Sequence, residues 1–388
     1  MVGVSNTEHP YKKIYLKWTL YLFMCVLCAG FFLHIFIKDQ KISEEENRVL
    51  MRIPAFSISS FLSGDFEKNF EDYCSDQFPA RNYFIKLQAQ TELLLGKREA
   101  NDVILGEDSY LMEKFVPDDV KNNSEKFDKM EKLHRRYPHI RQYFLLAPTA
   151  VNLLSEKLPE GIPVQDQNVY MDEAAARFND MGGRFIDVRE ELSLANEGDI
   201  YYHTDHHWTS YGAYVAAQKA LSVMGFNPHM TEYEPMPVYD AFHGSLSYKS
   251  GFLQGWTDVI DVYFPTKQEM GIEVNYVEER QKTKSLYNHK KLESRESYEL
   301  FLDGNHSLVK ISSDEALAER KLLLIKDSYA NSFIPFLTAY FKEIIVVDPR
   351  YYYDDLRELI DVEEISDLLY LYNANTFFAD KSLGMILE

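Results

Sequence analysis

Leu322-Leu323-Leu324-Ile325 followed by Lys326-Asp327-Ser328-Tyr329 decides the reading of this chain. Four apolar residues with no polar alternation predict a strand buried on both faces, as in a parallel sheet. The polar residues that follow predict a turn into a helix, with a serine at the turn. In an open α/β sheet, ligands bind outside the carboxyl ends of the strands. A serine at a helix start also lies near backbone N–H groups and the positive end of the helix dipole. Taken alone, the same residues read more readily as a helix cap, the commoner role for Ser328 or Asp327.

Flanking segments repeat the alternation of strand and helix. Tyr143-Phe144-Leu145-Leu146, residues 184–188, Ile344-Ile345-Val346-Val347 and Leu368-Leu369-Tyr370-Leu371 read as strands. Residues 121–137, 171–180, 212–224, 329–340 and 353–360 read as helices, with Phe127, Met130 and Leu133 at helical spacing and Gly225 closing the third. Val103-Ile104-Leu105 and Tyr110-Leu111 predict a short hairpin. The whole predicts an α/β fold with a mainly parallel sheet covered on both faces. Residues 226–320, aromatic-rich strands and loops, read as an insertion near the site.

A second polar segment, Thr204-Asp205-His206-His207-Trp208, precedes a predicted helix. Asp205 and His207 are two apart, so in an extended or turning backbone their side chains share a side. A serine hydroxyl is a weak nucleophile that needs a base, and the base needs an acceptor to orient it. Asp205, His207 and Ser328 could supply all three. Two other readings stay open at this level: polar loop residues with a cap at Thr209 or Ser210, and a metal cluster of His203, Asp205, His206 and His207, without a standard zinc spacing. Further candidates are Asn305 and Gly244 as oxyanion donors, and Trp208, His206, Tyr248 and Arg350 as substrate contacts. Turns, packing and pairing of Arg350 with an acid are the plainer readings of these.

The chain has 388 residues, a net charge of -20 and 46% hydrophobic residues. That supports a packed core and argues against nucleic-acid binding, which needs a basic surface. Trp18 to Ile37 is an uncharged apolar run of 20 residues, enough to cross a hydrocarbon core of about 30 Å. It exceeds the signal-peptide core length, and no small-residue cleavage site follows. Lys12, Lys13 and Lys17 before it favour the N-terminus inside. The expectation is a single-pass cell-membrane protein: residues 1–17 cytoplasmic, 18–37 the anchor, 38–95 a membrane-proximal stalk, 96–388 an extracytoplasmic domain. Of three cysteines, Cys25 and Cys28 lie in the apolar run and Cys74 beyond it, so no disulfide forms within the outer domain.

At Asp205-His206-His207-Trp208 the sequence resembles the DHHW protein family, itself similar to the alginate O-acetyltransferase type of SGNH proteins in bacterial envelopes. Glu46-Asn47-Arg48 with Pro54, Phe78-Pro79-Ala80-Arg81, Asn101-Asp102-Val103-Ile104 and Lys326-Asp327-Ser328-Tyr329 extend the resemblance over most of the chain. It implies an SGNH-like three-layer α/β/α sandwich. It implies Ser328 as nucleophile, His207 as base and Asp205 as its orienter, with no metal or cofactor. The implied activity is O-acetyl transfer to a cell-surface or secreted polysaccharide, fed by a separate membrane-bound acyltransferase. An acetylesterase with the same triad, and a non-catalytic polysaccharide-binding scaffold, remain alternatives. Lys326 stands where the usual Gly-Asp-Ser block has glycine, which puts backbone access beside the serine in question.

Overall fold

The computed structural model describes residues 10–43, 48–195, 198–252, 255–266 and 271–387. The Glu44-Glu45-Glu46 run and Asn47, part of the membrane-proximal match, lie outside them. The chain divides into two compact units, residues 1–91 and 92–388.

In the first unit, helix α1 spans Pro10–Phe36. Its segment Ile14–His34 has a mean hydropathy of 1.8 and no burial, and is long and apolar enough to cross a membrane. Three further helices follow at Ile58–Ser63, Asp65–Asp76 and Arg81–Leu94.

The second unit is built on an eight-stranded mixed sheet. Its strands are β1 Arg141–Ala147, β2 Arg184–Ile186, β3 Ile272–Tyr276, β4 Gln281–Thr283, β5 Leu308–Ser313, β6 Lys321–Lys326, β7 Glu343–Val347 and β8 Asp367–Asn373. The order across the sheet is β4-β3-β5-β7-β6-β8-β1-β2. Strands β7, β6, β8, β1 and β2 are parallel. Strands β4, β3 and β5 continue the sheet antiparallel beyond β7. The strand read first, β6, is central, and Leu322 to Ile325 are wholly buried. From β6 the chain crosses to β7 on one side; from β1 it crosses to β2 on the other. The carboxyl ends of β6 and β8 therefore lie where connections diverge, the usual place for a crevice in such sheets.

Three local expectations change. The helix read over 329–340 is α-helical only at Tyr329–Phe333 and continues as a 3-10 turn at Ile334–Phe336. Pro335 lacks the N–H that an α-helix interior requires. The helix read from 353 begins at Leu356, because the Asp355 carboxylate accepts the Arg357 N–H and caps it there. The strands within residues 226–320 divide between two sheets. Tyr233–Phe242 and Asp258–Pro265 pair as a separate antiparallel ribbon, whereas 272–313 contributes β3, β4 and β5 to the main sheet. Alternation between buried and exposed positions in these strands, unlike the uninterrupted apolar runs of β6 to β8, hid their membership.

Candidate active site

The turn after β6 is held by Asp327. Its carboxylate accepts the Tyr329 N–H at 2.9 Å, and the Asn373 backbone and side-chain N–H groups at 2.8 and 2.7 Å. Asp327 therefore does the capping and ties the turn to the end of β8. Burial pushes its carboxyl up to about 6, against the pull of Arg350 and these donors. Ser328 sits at the cap position but makes no capping bond. Its Oγ lies 2.8 Å from His207 Nε2.

The His207 side of the site is a loop folded back on itself, with Tyr201 and Trp208 bridged. Asp205 Oδ1 lies 2.5 Å from His207 Nδ1 and accepts the His207 backbone N–H at 2.9 Å. Its Oδ2 accepts the Ser245 N–H at 2.7 Å. Asp258, which the sequence reading missed, fastens the preceding residues: it accepts the backbone N–H groups of His203 and Thr204, each at 2.8 Å, and the Thr204 hydroxyl at 2.5 Å. No spacing rule connects Asp258 to residue 204. Trp208 links the loop to the serine helix, donating its indole N–H to Tyr329 O at 3.0 Å, while the Tyr329 hydroxyl donates back to His206 O.

Asp205 is 3% exposed and His207 5%. Burial pushes the His207 imidazole below its ordinary pKa; neighbouring His206 and Arg350 push the same way, and Asp205 opposes them. Burial works against the Asp205 carboxylate too, but His207, His206 and the Ser245 N–H hold it well below the usual range. The site thus pairs an ionised acid with a neutral imidazole whose Nε2 faces a hydroxyl, the arrangement that lets a serine oxygen lose its proton on attack.

Other expected site residues divide. Gly244 is no free oxyanion donor: its N–H donates to Thr204 Oγ1 at 2.8 Å. It is needed for close approach instead, since a Cβ there would lie 2.2 Å from Asp205 Cβ and 2.6 Å from Asp205 Cα. Gly244→Ala is therefore expected to lower stability by about 1–3 kcal/mol, the range for overpacking, and to cut activity by displacing Asp205. A denaturation midpoint and activity within error of wild type would show that the loop can yield. Trp208 is fully buried and cannot stack on a sugar. The face of Tyr248 is covered by the Arg295 guanidinium at 3.7 Å. Arg350 is held by Asp348 through two bonds of 2.8 and 2.6 Å. His206 is half-buried, bonds Ser245 Oγ at 2.8 Å, and borders a small cleft with Glu113 and Asn375.

Lys326 turns away from the serine into the interior and is wholly buried. Its ammonium donates to Asn305 Oδ1 at 2.8 Å and Asp348 Oδ2 at 3.1 Å. Asn331 Nδ2 donates to the same Asn305 oxygen at 3.2 Å. With its oxygen fixed by two donors, the Asn305 amide turns its NH2 away from them. Tyr298 is a second residue that the sequence did not flag: its ring is stacked on His207, centroids 3.8 Å apart and planes 11° apart.

Asp205, His206 and His207 offer ligand atoms within 4.8 Å of one another, as a metal would need. A metal taking Asp205 Oδ1 and His207 Nδ1 would have to break the bond that already joins them.

The second unit thus has a mixed α/β fold in which Asp205, His207 and Ser328 are joined by hydrogen bonds at the carboxyl end of a central parallel strand. Residues 140–347, more than half of the chain, match the model of the DHHW protein family. The chain belongs to the DHHW family. No curated protein matches it. Among solved structures it is similar to a DHHW family protein from Eubacterium siraeum DSM 15702, with a TM-score of 0.61 and 20% identity over 74% of this chain and 95% of that one. It is also similar to PatB1 of Bacillus cereus, with a TM-score of 0.59 and 20% identity over 72% and 98%. PatB1 with a sulfonyl adduct matches with a TM-score of 0.58 and 20% identity over 73% and 98%. At these identities the likeness is one of fold.

Proposed function

We propose that this protein is a membrane-anchored, extracytoplasmic O-acyltransferase of SGNH type that moves acetyl groups onto hydroxyls of a cell-surface or secreted polysaccharide. The observation that carries the reading is the continuous relay from Asp205 through His207 to the Ser328 hydroxyl, 2.5 and 2.8 Å long. Ser328 Oγ attacks the donor's acyl carbonyl as its proton passes to His207 Nε2. The leaving group departs with that proton, and the acetyl group stays on Ser328 as an ester. An acceptor hydroxyl then gives its proton to His207 and attacks the ester carbonyl, and Ser328 Oγ leaves with that proton, which restores the neutral imidazole. The Ser328 N–H and the Asn305 NH2 are assigned to the developing oxyanion, and His206 to acceptor contact. The sulfonyl adduct of the PatB1 relative suits this reading, because an activated sulfonyl group is captured by nucleophiles. Helix α1 serves as the anchor, and a separate membrane-bound acyltransferase supplies acyl groups.

The test uses the full chain in detergent with p-nitrophenyl acetate as donor and acetyl-free glycans as acceptors, reading released nitrophenol, protein mass and glycan acetylation. Acetylated glycan is the expected product. Acetate alone would favour hydrolysis, and no acetyl adduct or turnover with this donor would count against the serine mechanism. Run against pH, the rate should rise through a limb below the ordinary histidine value of about 6.5 and then stay flat. Burial, His206 and Arg350 favour the neutral imidazole, so His207 becomes a working base at lower pH than a free histidine. A limb above that value would contradict the buried, neutral base.

A further inference from the structure

The residues that face His207 come from four places. Asp205 and His206 belong to its own loop; Arg350 follows β7; Ser328 and Tyr329 follow β6; Tyr298 comes from the segment at Ser297–Leu300. In the reaction proposed above, the imidazole must become a cation each time Ser328 loses its proton. Arg350 and His206 both oppose that cation. Asp205 supports it, but only at the ring edge, through Nδ1. One face of the ring is covered by Tyr298, stacked nearly parallel at 3.8 Å. His206 lies against His207 as well, centroids 3.9 Å apart and planes 36° apart. Tyr329 is more distant, at 5.3 Å and 43°. Tyr298 is 7% exposed. Its hydroxyl lies 3.0 Å from Ser332 Oγ and 3.3 Å from the Ser328 carbonyl oxygen, so the same side chain reaches the helix that carries the nucleophile.

We propose that Tyr298 is a positioning residue for the acyl-transfer reaction: its electron-rich face holds the His207 ring in plane for Ser328 and stabilises the imidazolium formed on proton transfer. The face of an aromatic ring carries negative charge density and attracts a cation, more strongly when both are shielded from water. Water is nearly excluded here. Tyr298 thus supplies attraction on the face of the ring, whereas Asp205 bonds it at the edge. Its hydroxyl keeps that face in register with the serine turn. Segment 226–320, whose role the sequence left open, thereby contributes a side chain to the reaction centre. This inference rests on the serine mechanism proposed above.

A test by ring deletion would admit water and move the titration for another reason. Ring shape is therefore kept and its charge distribution changed. The full chain in detergent is prepared with tyrosine, phenylalanine, difluorophenylalanine or pentafluorophenylalanine at position 298. The rate of Ser328 labelling by a fluorophosphonate is followed against pH for each. Tyr298→Phe keeps the π face, so its midpoint should match wild type, with a modest rate loss from the missing hydroxyl bond. Fluorination withdraws the negative face and destabilises the imidazolium. The midpoint should fall stepwise, by about half a unit from phenylalanine to the pentafluoro ring, with a parallel fall in the plateau rate. Midpoints that coincide across the series, or rise with fluorination, would overturn the role of the face and leave Tyr298 as packing. Absence of Ser328 labelling in the wild-type protein would instead sink the serine mechanism, and this inference with it.

Discussion

Ser328→Ala is expected to lower acetyl transfer from p-nitrophenyl acetate by about four orders of magnitude or more, and His207→Ala by a similar factor. The reason is geometric. Ser328 Oγ and His207 Nε2 are 2.8 Å apart, so each is useless to the relay without the other. Groups that act as a unit lose their effect together, and the double variant should be no slower than either single one. Folding should survive the serine change. Ser328 makes no capping bond, and Asp327 holds the turn without it. Intact mass after incubation is the direct measurement: an acetyl adduct on wild type and none on either variant. Equal adduct on the Ser328→Ala protein would place the nucleophile elsewhere.

Asp348→Ala should cost about 3–5 kcal/mol of stability, the range for breaking one side of a buried charge pair. Asp348 is wholly buried and accepts from Lys326 Nζ at 3.1 Å and from Arg350 at 2.8 and 2.6 Å. Without it, two cations lie side by side, and Lys326 keeps only the neutral Asn305 oxygen. Burial already lowers the Lys326 pKa, and Asp348 is the first group that opposes the shift. The loss is read as the change in urea midpoint of the detergent-solubilised chain. Lys326→Met should be milder, because Asp348 keeps both Arg350 bonds. A loss below about 1 kcal/mol for Asp348→Ala would mean that water reaches this pair and relieves it. The same network explains how a lysine is accommodated two residues before the serine: its side chain leaves the crevice and anchors Asn305.

Much of this was legible in the chain. Uninterrupted apolar runs at 322–325, 344–347 and 368–371 announced strands buried on both faces, because only such strands need no polar side. The Asp205-His207 spacing was legible because two residues in a turning backbone put both side chains on one side. Strands β3 to β5 were obscure: their periodicity is that of a sheet margin with one wet face, and it resembles loop sequence. Trp208, Tyr248 and Gly244 were left between two roles for one shared reason. Composition shows that an aromatic or a glycine is present, but not whether its face or its N–H is already taken.

Local patterning alone thus determined the apolar N-terminal helix, the α/β alternation, the strand-to-helix turn at Ser328 and the pairing of Asp205 with His207. These depend on neighbours within a few residues, and the chain carries them at every point. Tertiary structure alone decided which long-range partners meet. Asp258 fastens Thr204, Gly244 gives way to Asp205, Asp348 neutralises Lys326, and Tyr298 lies on the imidazole face. Each joins segments brought together by the packing of a sheet whose order is not the order of the sequence. Contacts of that kind depend on distances of a few ångström across the fold, and no periodicity along the chain encodes them.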